Sequence, residues 1–138
     1  MRLRLANHQQ RDPVPMAWLR QVAQRAAKRL RIRRAGWMTI TFIDGPTMRR
    51  LNKQFTGHTH LTDVLSFRYD GEPVIGEILI APAAARRYAQ EHGVPYRDEL
   101  ARYVAHGLLH WIGHEDHTPA QQKQMRSMED RLLRAGTR

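Results

Sequence analysis

Residues 98–117 read DELARYVAHGLLHWIGHEDH, and the rest of the chain is best understood from this stretch outward. Leu100, Tyr103, Val104, Leu108 and Trp111 recur at helical spacing, which predicts a helix over Asp98–Ile112 with one side buried. His106 and His110 stand four apart on it. One helical turn stacks them on the same face, about 5–6 Å apart at Cβ, the geometry of a metal-ligand pair. Gly113 ends the helix, and the chain at once presents His114, Glu115, Asp116 and His117. A break at that point lets a third ligand swing back over the pair. An isolated histidine is usually an ordinary helix residue. Four within residues 106–117, two at i and i+4 and two past a glycine stop, point instead to a metal. Three protein ligands leave a fourth position open, as in a catalytic zinc site.

Composition narrows the donors. The 138 residues include no cysteine, which excludes disulfides, Cys-based zinc sites, iron–sulfur clusters and cysteine nucleophiles. One divalent metal ion, expected to be Zn2+, must then be held by His, Asp or Glu. Lys and Arg number 23 against 13 Asp and Glu, a formal charge of +10. Such a balance favours polyanionic partners, nucleic acid ahead of an acidic membrane surface. Most of the excess is arginine, which grips phosphate in a fork and stacks on bases. The plainer alternative is a solubilising basic surface. No apolar run approaches the ~20 residues of a membrane span, and the N-terminus lacks the apolar core of a signal peptide. A cytoplasmic protein without a membrane partner is expected, monomeric by default. A hydrophobic fraction of 41% over this length suits a single domain spanning residues 1–138.

Working outward, Met1–Ala6 alternates arginine and leucine as a short strand. From Met16 to about Arg33, Trp18, Leu19, Val22, Ala26 and Leu30 make a helical stripe, with Gly36 as its stop. Arg20, Arg25, Lys28 and Arg29 form the opposite face, which either tracks an RNA backbone or serves solubility. Trp37–Ile43 alternates as a strand. Thr47 is expected to cap a short helix running to about Phe55. Val64–Phe67 and Gly76–Ile80 read as a hairpin around Gly71-Glu72-Pro73. Pro82 opens a helix to His92-Gly93. Thr118-Pro119-Ala120-Gln121 starts the last one with a capping box, and it runs to about Arg134. Strands early and helices late indicate α+β: a small mixed β-sheet packed with several helices, the metal site on a central one.

The H-E-x-x-H motif of zinc proteases is not met. Gly107 follows His106, where a protease carries its glutamate base. Without that carboxylate peptide hydrolysis loses its usual water activator, and the basic charge points to a phosphodiester. A glycine there also leaves room beside the metal for substrate. No clear general base is visible; Glu115 is a candidate by proximity alone. Thr62, Asp63 and Ser66 either shape the substrate groove and orient the site or serve a turn and backbone hydrogen bonds. His58 and His60, in a polar loop, reach phosphate or are simply solvated. Trp18, Trp37 and Trp111 sit on apolar faces and are expected in the core rather than stacked on bases.

Four stretches together resemble the YbeY family, the metal-dependent endoribonucleases and rRNA maturation factors of bacteria. They are Leu51-Asn52 with Phe55, Thr62-Asp63-Val64-Leu65-Ser66-Phe67, Gly76-Glu77-Ile78, and His106-Gly107-Leu108-Leu109-His110-Trp111-Ile112-Gly113. Met125 and Glu129 continue the likeness. The resemblance implies a zinc-dependent, single-strand-specific RNase that acts on rRNA and ribosomal particles, maturing the 3′ end of 16S rRNA and taking part in ribosome quality control. The family's usual third ligand is a histidine ten residues after the first, and that position here is Asp116. An ungapped match makes Asp116 the ligand; a one-residue insertion after Gly113 makes it His117. Asp116 is favoured, since it needs no compensating deletion, with His117 as the alternative or a supporting partner. The family often has an arginine at the position of Thr56 and a proline at that of Leu61. If that arginine binds phosphate, another basic residue must substitute. Arg68 is a candidate, against the plainer reading of a solvated strand-end arginine. Two rival functions stand beside the RNase: a metalloprotease-like hydrolase, and a non-enzymatic ribosome-assembly factor with a structural metal.

Overall fold

Residues 1–57 and 62–136 are described by the computed structural model; His58, His60 and Leu61 lie outside the described residues. In chain order the elements are β1 (Arg2–Asn7), α1 (Met16–Arg29), β2 (Trp37–Phe42), α2 (Gly45–Thr56), β3 (Val64–Arg68), β4 (Val74–Ile80), α3 (Pro82–His92), α4 (Tyr96–Trp111) and α5 (Pro119–Gly136). The four strands form one sheet in the order β1-β2-β4-β3. The pairs β1–β2 and β2–β4 are parallel, whereas β3 returns antiparallel to β4 as a hairpin. The expected α+β architecture with a mixed sheet is the observed one.

Alternation along the strands builds the core. Met38, Ile40 and Phe42 of β2 are fully buried, and Ile40 and Phe42 lie in register with Ile78 and Ile80 of β4. Burying side chains of this size stabilises by roughly 1.5–3 kcal/mol each. Leu19, Ala23 and Ala26 of α1 and Leu100, Val104 and Leu108 of α4 complete this cluster. A smaller one, centred on Ile43, Met48 and Ala81, gathers Leu65 and Leu79 beneath α2. Helix α4 is the hub, packing against α1, α3, α5, β3 and β4. It begins at Tyr96, two residues ahead of the predicted start. Pro95 stands at the cap, and the Tyr96 hydroxyl donates to the Pro13 carbonyl at 2.8 Å.

Two further helix ends differ from the sequence reading. Helix α1 stops at Arg29, well short of Arg33 and Gly36. Arg31 adopts a left-handed conformation (φ 56°), its N–H bonds the Lys28 carbonyl, and the Ile32 N–H bonds the Ala27 carbonyl. That paired closure normally uses glycine, so an arginine there gives no sequence signal. Helix α2 is capped by Asp44, not Thr47: the Asp44 carboxylate accepts the Thr47 N–H at 2.8 Å. The capping box of α5 forms as expected, with reciprocal 3.1 Å bonds between Thr118 and Gln121.

Candidate metal centre

Helix α4 ends at Trp111, with Ile112 at the cap, in the same paired closure, here with a glycine. Gly113 takes φ 110°, its N–H bonds the His110 carbonyl, and the His114 N–H bonds the Leu109 carbonyl at 3.0 Å. The turn reverses the chain and sets Asp116 above the helical pair. The Nε2 atoms of His106 and His110 lie 2.9 Å apart, and Asp116 Oδ2 lies 3.4 and 3.5 Å from them. Tetrahedral zinc bonds of about 2.0–2.2 Å put ligand atoms about 3.3–3.6 Å apart, so the two edges to Asp116 already match. The third edge is a hydrogen-bond length between the rings. His106, His110 and Asp116 are the one group of three such donors converging on a point among the described residues.

The other nitrogen of His106 is committed. Nδ1 lies 2.6 Å from Glu129 Oε2 on α5, and the Glu129 side chain is 5% exposed. A carboxylate partner accepts Nδ1–H and leaves the lone pair on Nε2, the tautomer that binds a cation. Glu129 is held in turn by Arg102, whose Nη1 lies 2.9 Å from Oε1, while Nη2 reaches Asp130 at 2.7 Å. Burial opposes a charge on the His106 ring, but the Glu129 hydrogen bond and the negative charges of Asp63, Glu129 and Asp116 outweigh it and raise its pKa. The surroundings of the ring thus favour positive charge, as a cation site requires. The cleft beside the ring, about 330 Å³, is lined by Asp63, Tyr88, Tyr103, Gln122, Met125 and Arg126 among others. A larger cleft of about 710 Å³ between α1, α4 and α5 contains none of the three converging donors. Chemistry, not volume, selects the smaller one.

The other candidate residues fall in several places. His117 is exposed and outside the converging group, its N–H bonded to Gln121 Oε1. Glu115 is exposed and also outside it. Gly107 does not open room beside the histidine pair. It faces the sheet, where an added Cβ would lie 2.5 Å from Ile78 Cγ2. The glycine permits close packing of α4 on β4. The Ser66 hydroxyl donates to the Gly107 carbonyl at 3.1 Å, a structural bond. Asp63 caps the Val64 N–H and faces the cleft as well. Arg68 is exposed yet anchored: Nη1 donates to the Trp111 carbonyl at 2.8 Å, and the guanidinium lies 4.6 Å over the Trp111 ring. Trp111 is core, with Nε1 donating to the Ile75 carbonyl. Trp18 and Trp37 are half-buried, the first beneath Arg97 and the second beneath Arg2 and Arg4. Arg20 of the basic α1 face donates to the Leu3 carbonyl and ties α1 to β1. Sequence reasoning misses the clamp of Arg102 on Glu129, which joins residues 27 apart in the chain.

Fold and donor set define a class: a small α+β protein whose central helix carries a His-His-Asp group closed by a glycine turn. The family profile of endoribonuclease YbeY matches residues 4–136, and the chain belongs to that family. Its curated relatives include endoribonuclease YbeY of Flavobacterium psychrophilum, 37% identical over 100 residues covering 72% of this chain and 71% of that protein. That of Bacteroides thetaiotaomicron is 31% identical over 117 residues, 84% of this chain and 82% of the relative. The Myxococcus xanthus protein is 36% identical over 103 residues, 70% of this chain but only 35% of that longer protein. The solution structure of TM1509 from Thermotoga maritima has the same fold, with a TM-score of 0.66 at 22% identity over 97% of this chain and 88% of that one.

Proposed function

We propose that this chain is a zinc-dependent endoribonuclease specific for single-stranded RNA, acting in late maturation of the 16S rRNA 3′ end and in ribosome quality control. Residues 1–138 work as one domain, in the cytoplasm, on rRNA within ribosomal particles. The observation that carries the reading is the convergence of His106 Nε2, His110 Nε2 and Asp116 Oδ2, with His106 Nδ1 already bound to a buried carboxylate. A zinc ion in that place supplies Lewis acidity toward a phosphodiester oxygen and lowers the pKa of water toward about 7.

The chain's own residues do the rest. Glu129 fixes the His106 ring and its tautomer. The Gly113 turn holds Asp116 over the pair. Arg126 lines the cleft and supplies positive charge where a phosphate backbone would pass. Arg68, at the end of β3, extends that charge beside the C-terminus of α4.

The test pairs metal analysis with a substrate panel. Wild type and His117→Ala should each bind one zinc, and Asp116→Ala should lose most of it. Purified wild type should cut unstructured RNA and spare unstructured peptide. Peptide cleavage alone, or RNA cleavage that survives His110→Ala, would overturn the proposal.

A further inference from the structure

Arg102 stands one helical turn before His106 on α4, and its guanidinium meets three carboxylates from two helices. Nη1 lies 2.9 Å from Glu129 Oε1, Nη2 2.7 Å from Asp130 Oδ1, and Nε 3.9 Å from Glu99 Oε1. The Arg102 side chain is 18% exposed, and Glu99 and Glu129 are almost wholly buried. Glu129 divides its two oxygens: Oε1 takes Arg102 and Oε2 takes His106 Nδ1 at 2.6 Å. A carboxylate gripped at one oxygen cannot turn about its terminal bond without losing the other contact. The fork also spans Glu129 and Asp130, adjacent residues of α5, so it fixes how far α5 stands from α4.

We propose that Arg102 is a positioning residue of the metal centre. It lines the cleft beside His106 but pairs with Glu99, Glu129 and Asp130, and it aims Glu129 Oε2 at His106 so that the imidazole presents Nε2 to the ion. The inference rests on the metal reading above and adds a residue to it. Groups that orient a ligand in this way typically change metal affinity by about 10–100-fold when removed. Arg102 acts one bond further out, so the lower end of that range applies.

The test measures zinc affinity by competition with a chromogenic chelator for wild type, Arg102→Gln and Arg102→Lys. Alongside it, the His106 ring nitrogens of the metal-free proteins are read by long-range ¹H–¹⁵N NMR. At a pH where the ring is neutral, wild type should carry its single proton on Nδ1. Arg102→Gln should bind zinc about tenfold more weakly, with the proton redistributed between Nδ1 and Nε2. Arg102→Lys, whose point charge cannot fork across Glu129 and Asp130, should fall between, at least about threefold weaker than wild type. A merely structural role would lower the melting temperature and leave zinc affinity and tautomer of the folded protein unchanged. Unchanged affinity and tautomer in folded Arg102→Gln overturns the proposal. Should that variant not fold, unchanged values in Arg102→Lys overturn it equally. A wild type that takes up no zinc sinks the metal reading and this inference with it, a result distinct from equal binding by all three proteins.

Discussion

Gly107→Ala pits two opposing effects against each other at a position next to His106. Alanine is favoured over glycine inside a helix by about 0.8–1.0 kcal/mol. Against that gain, the new Cβ would lie 2.5 Å from Ile78 Cγ2 and 3.2 Å from Val64 Cγ1. Carbon atoms rest at about 3.5–4.0 Å, so the first contact must relax by about 1 Å. Ile78 is fully buried in a strand with neighbours on both sides, and its branched Cβ restricts rotation about χ1. Relief must therefore come from α4 lifting off the sheet, and overpacking of this kind costs about 1–3 kcal/mol. A clash of about 1 Å against a fully buried, branched side chain belongs in the upper part of that range, about 2–3 kcal/mol. After the propensity gain the net is about 1–2 kcal/mol of destabilisation, a fall in Tm of roughly 3–8 °C at this chain length. Calorimetry on metal-free protein measures it. Lifting α4 also carries His106 and His110 away from Asp116, so zinc affinity should drop in the same variant. Ile78→Leu moves the branch off Cβ, and the double variant should lose less than the sum of the singles by at least about 0.5 kcal/mol. A Gly107→Ala protein as stable as wild type, or more so, would refute the packing argument and leave helix propensity in command.

The remaining expectations are briefer. Zinc at 100 times its Kd should stabilise wild type by about 2.7 kcal/mol, reversed by chelator, and the shift should largely vanish in Asp116→Ala. Trp111→Phe removes the indole donor to the Ile75 carbonyl, which still accepts the Tyr69 N–H, so urea unfolding should show a loss of only about 0.5–1.5 kcal/mol from that bond. Asp44→Ala should cost about 1 kcal/mol by removing the cap of α2. Hydrogen bonds from the Thr47 side chain and backbone hold the Asp44 carboxyl below its ordinary 3.8, so its contribution is complete above that value and fades as pH falls through the lower folded pKa. Wild type and Asp44→Ala should converge in stability on acidification; a gap that stays constant to pH 2 contradicts the assignment. Arg68→Ala should destabilise the α4–β3 junction modestly, and a larger effect on RNA affinity than on Tm would assign Arg68 a phosphate contact.

Local chemistry is legible in the sequence and tertiary pairing is not. The i, i+4 spacing of His106 and His110, the stop at Gly113 and the Thr118–Gln121 box each lie within one turn or cap, so neighbouring residues suffice to read them. Favouring Asp116 over His117 takes a family likeness, because the turn that aims one side chain inward lies below the resolution of a spacing rule. The end of α1 escapes a sequence reading because Arg31 holds a left-handed conformation usually given to glycine. Gly107 misleads for a different reason: helical periodicity gives a residue's face, but not whether that face meets solvent, sheet or metal. The parallel pairing of β1 with β2 and of β2 with β4, and the reach of Arg102 and Glu129 to His106, depend on how elements dock. Nothing in a single stretch encodes that.

The last turns of α4 carry a burden on every side: Arg102 clamps α5, His106 and His110 face Asp116, Gly107 meets Ile78, and Trp111 closes on Ile75. An α-helix turns about 100° per residue, so a one-residue insertion or deletion between Arg102 and Trp111 re-aims everything beyond it. Such a shift turns imidazoles toward the sheet and puts side chains where only a glycine fits. This segment should therefore be closed to length change, however freely its composition drifts elsewhere. The Gly113–Glu115 turn escapes that rule: a residue added there alters which side chain crowns the pair without disturbing the pair itself. Removing one residue from that turn would set His117 where Asp116 stands, exchanging a carboxylate for an imidazole over the histidine pair while the helix beneath stays in register.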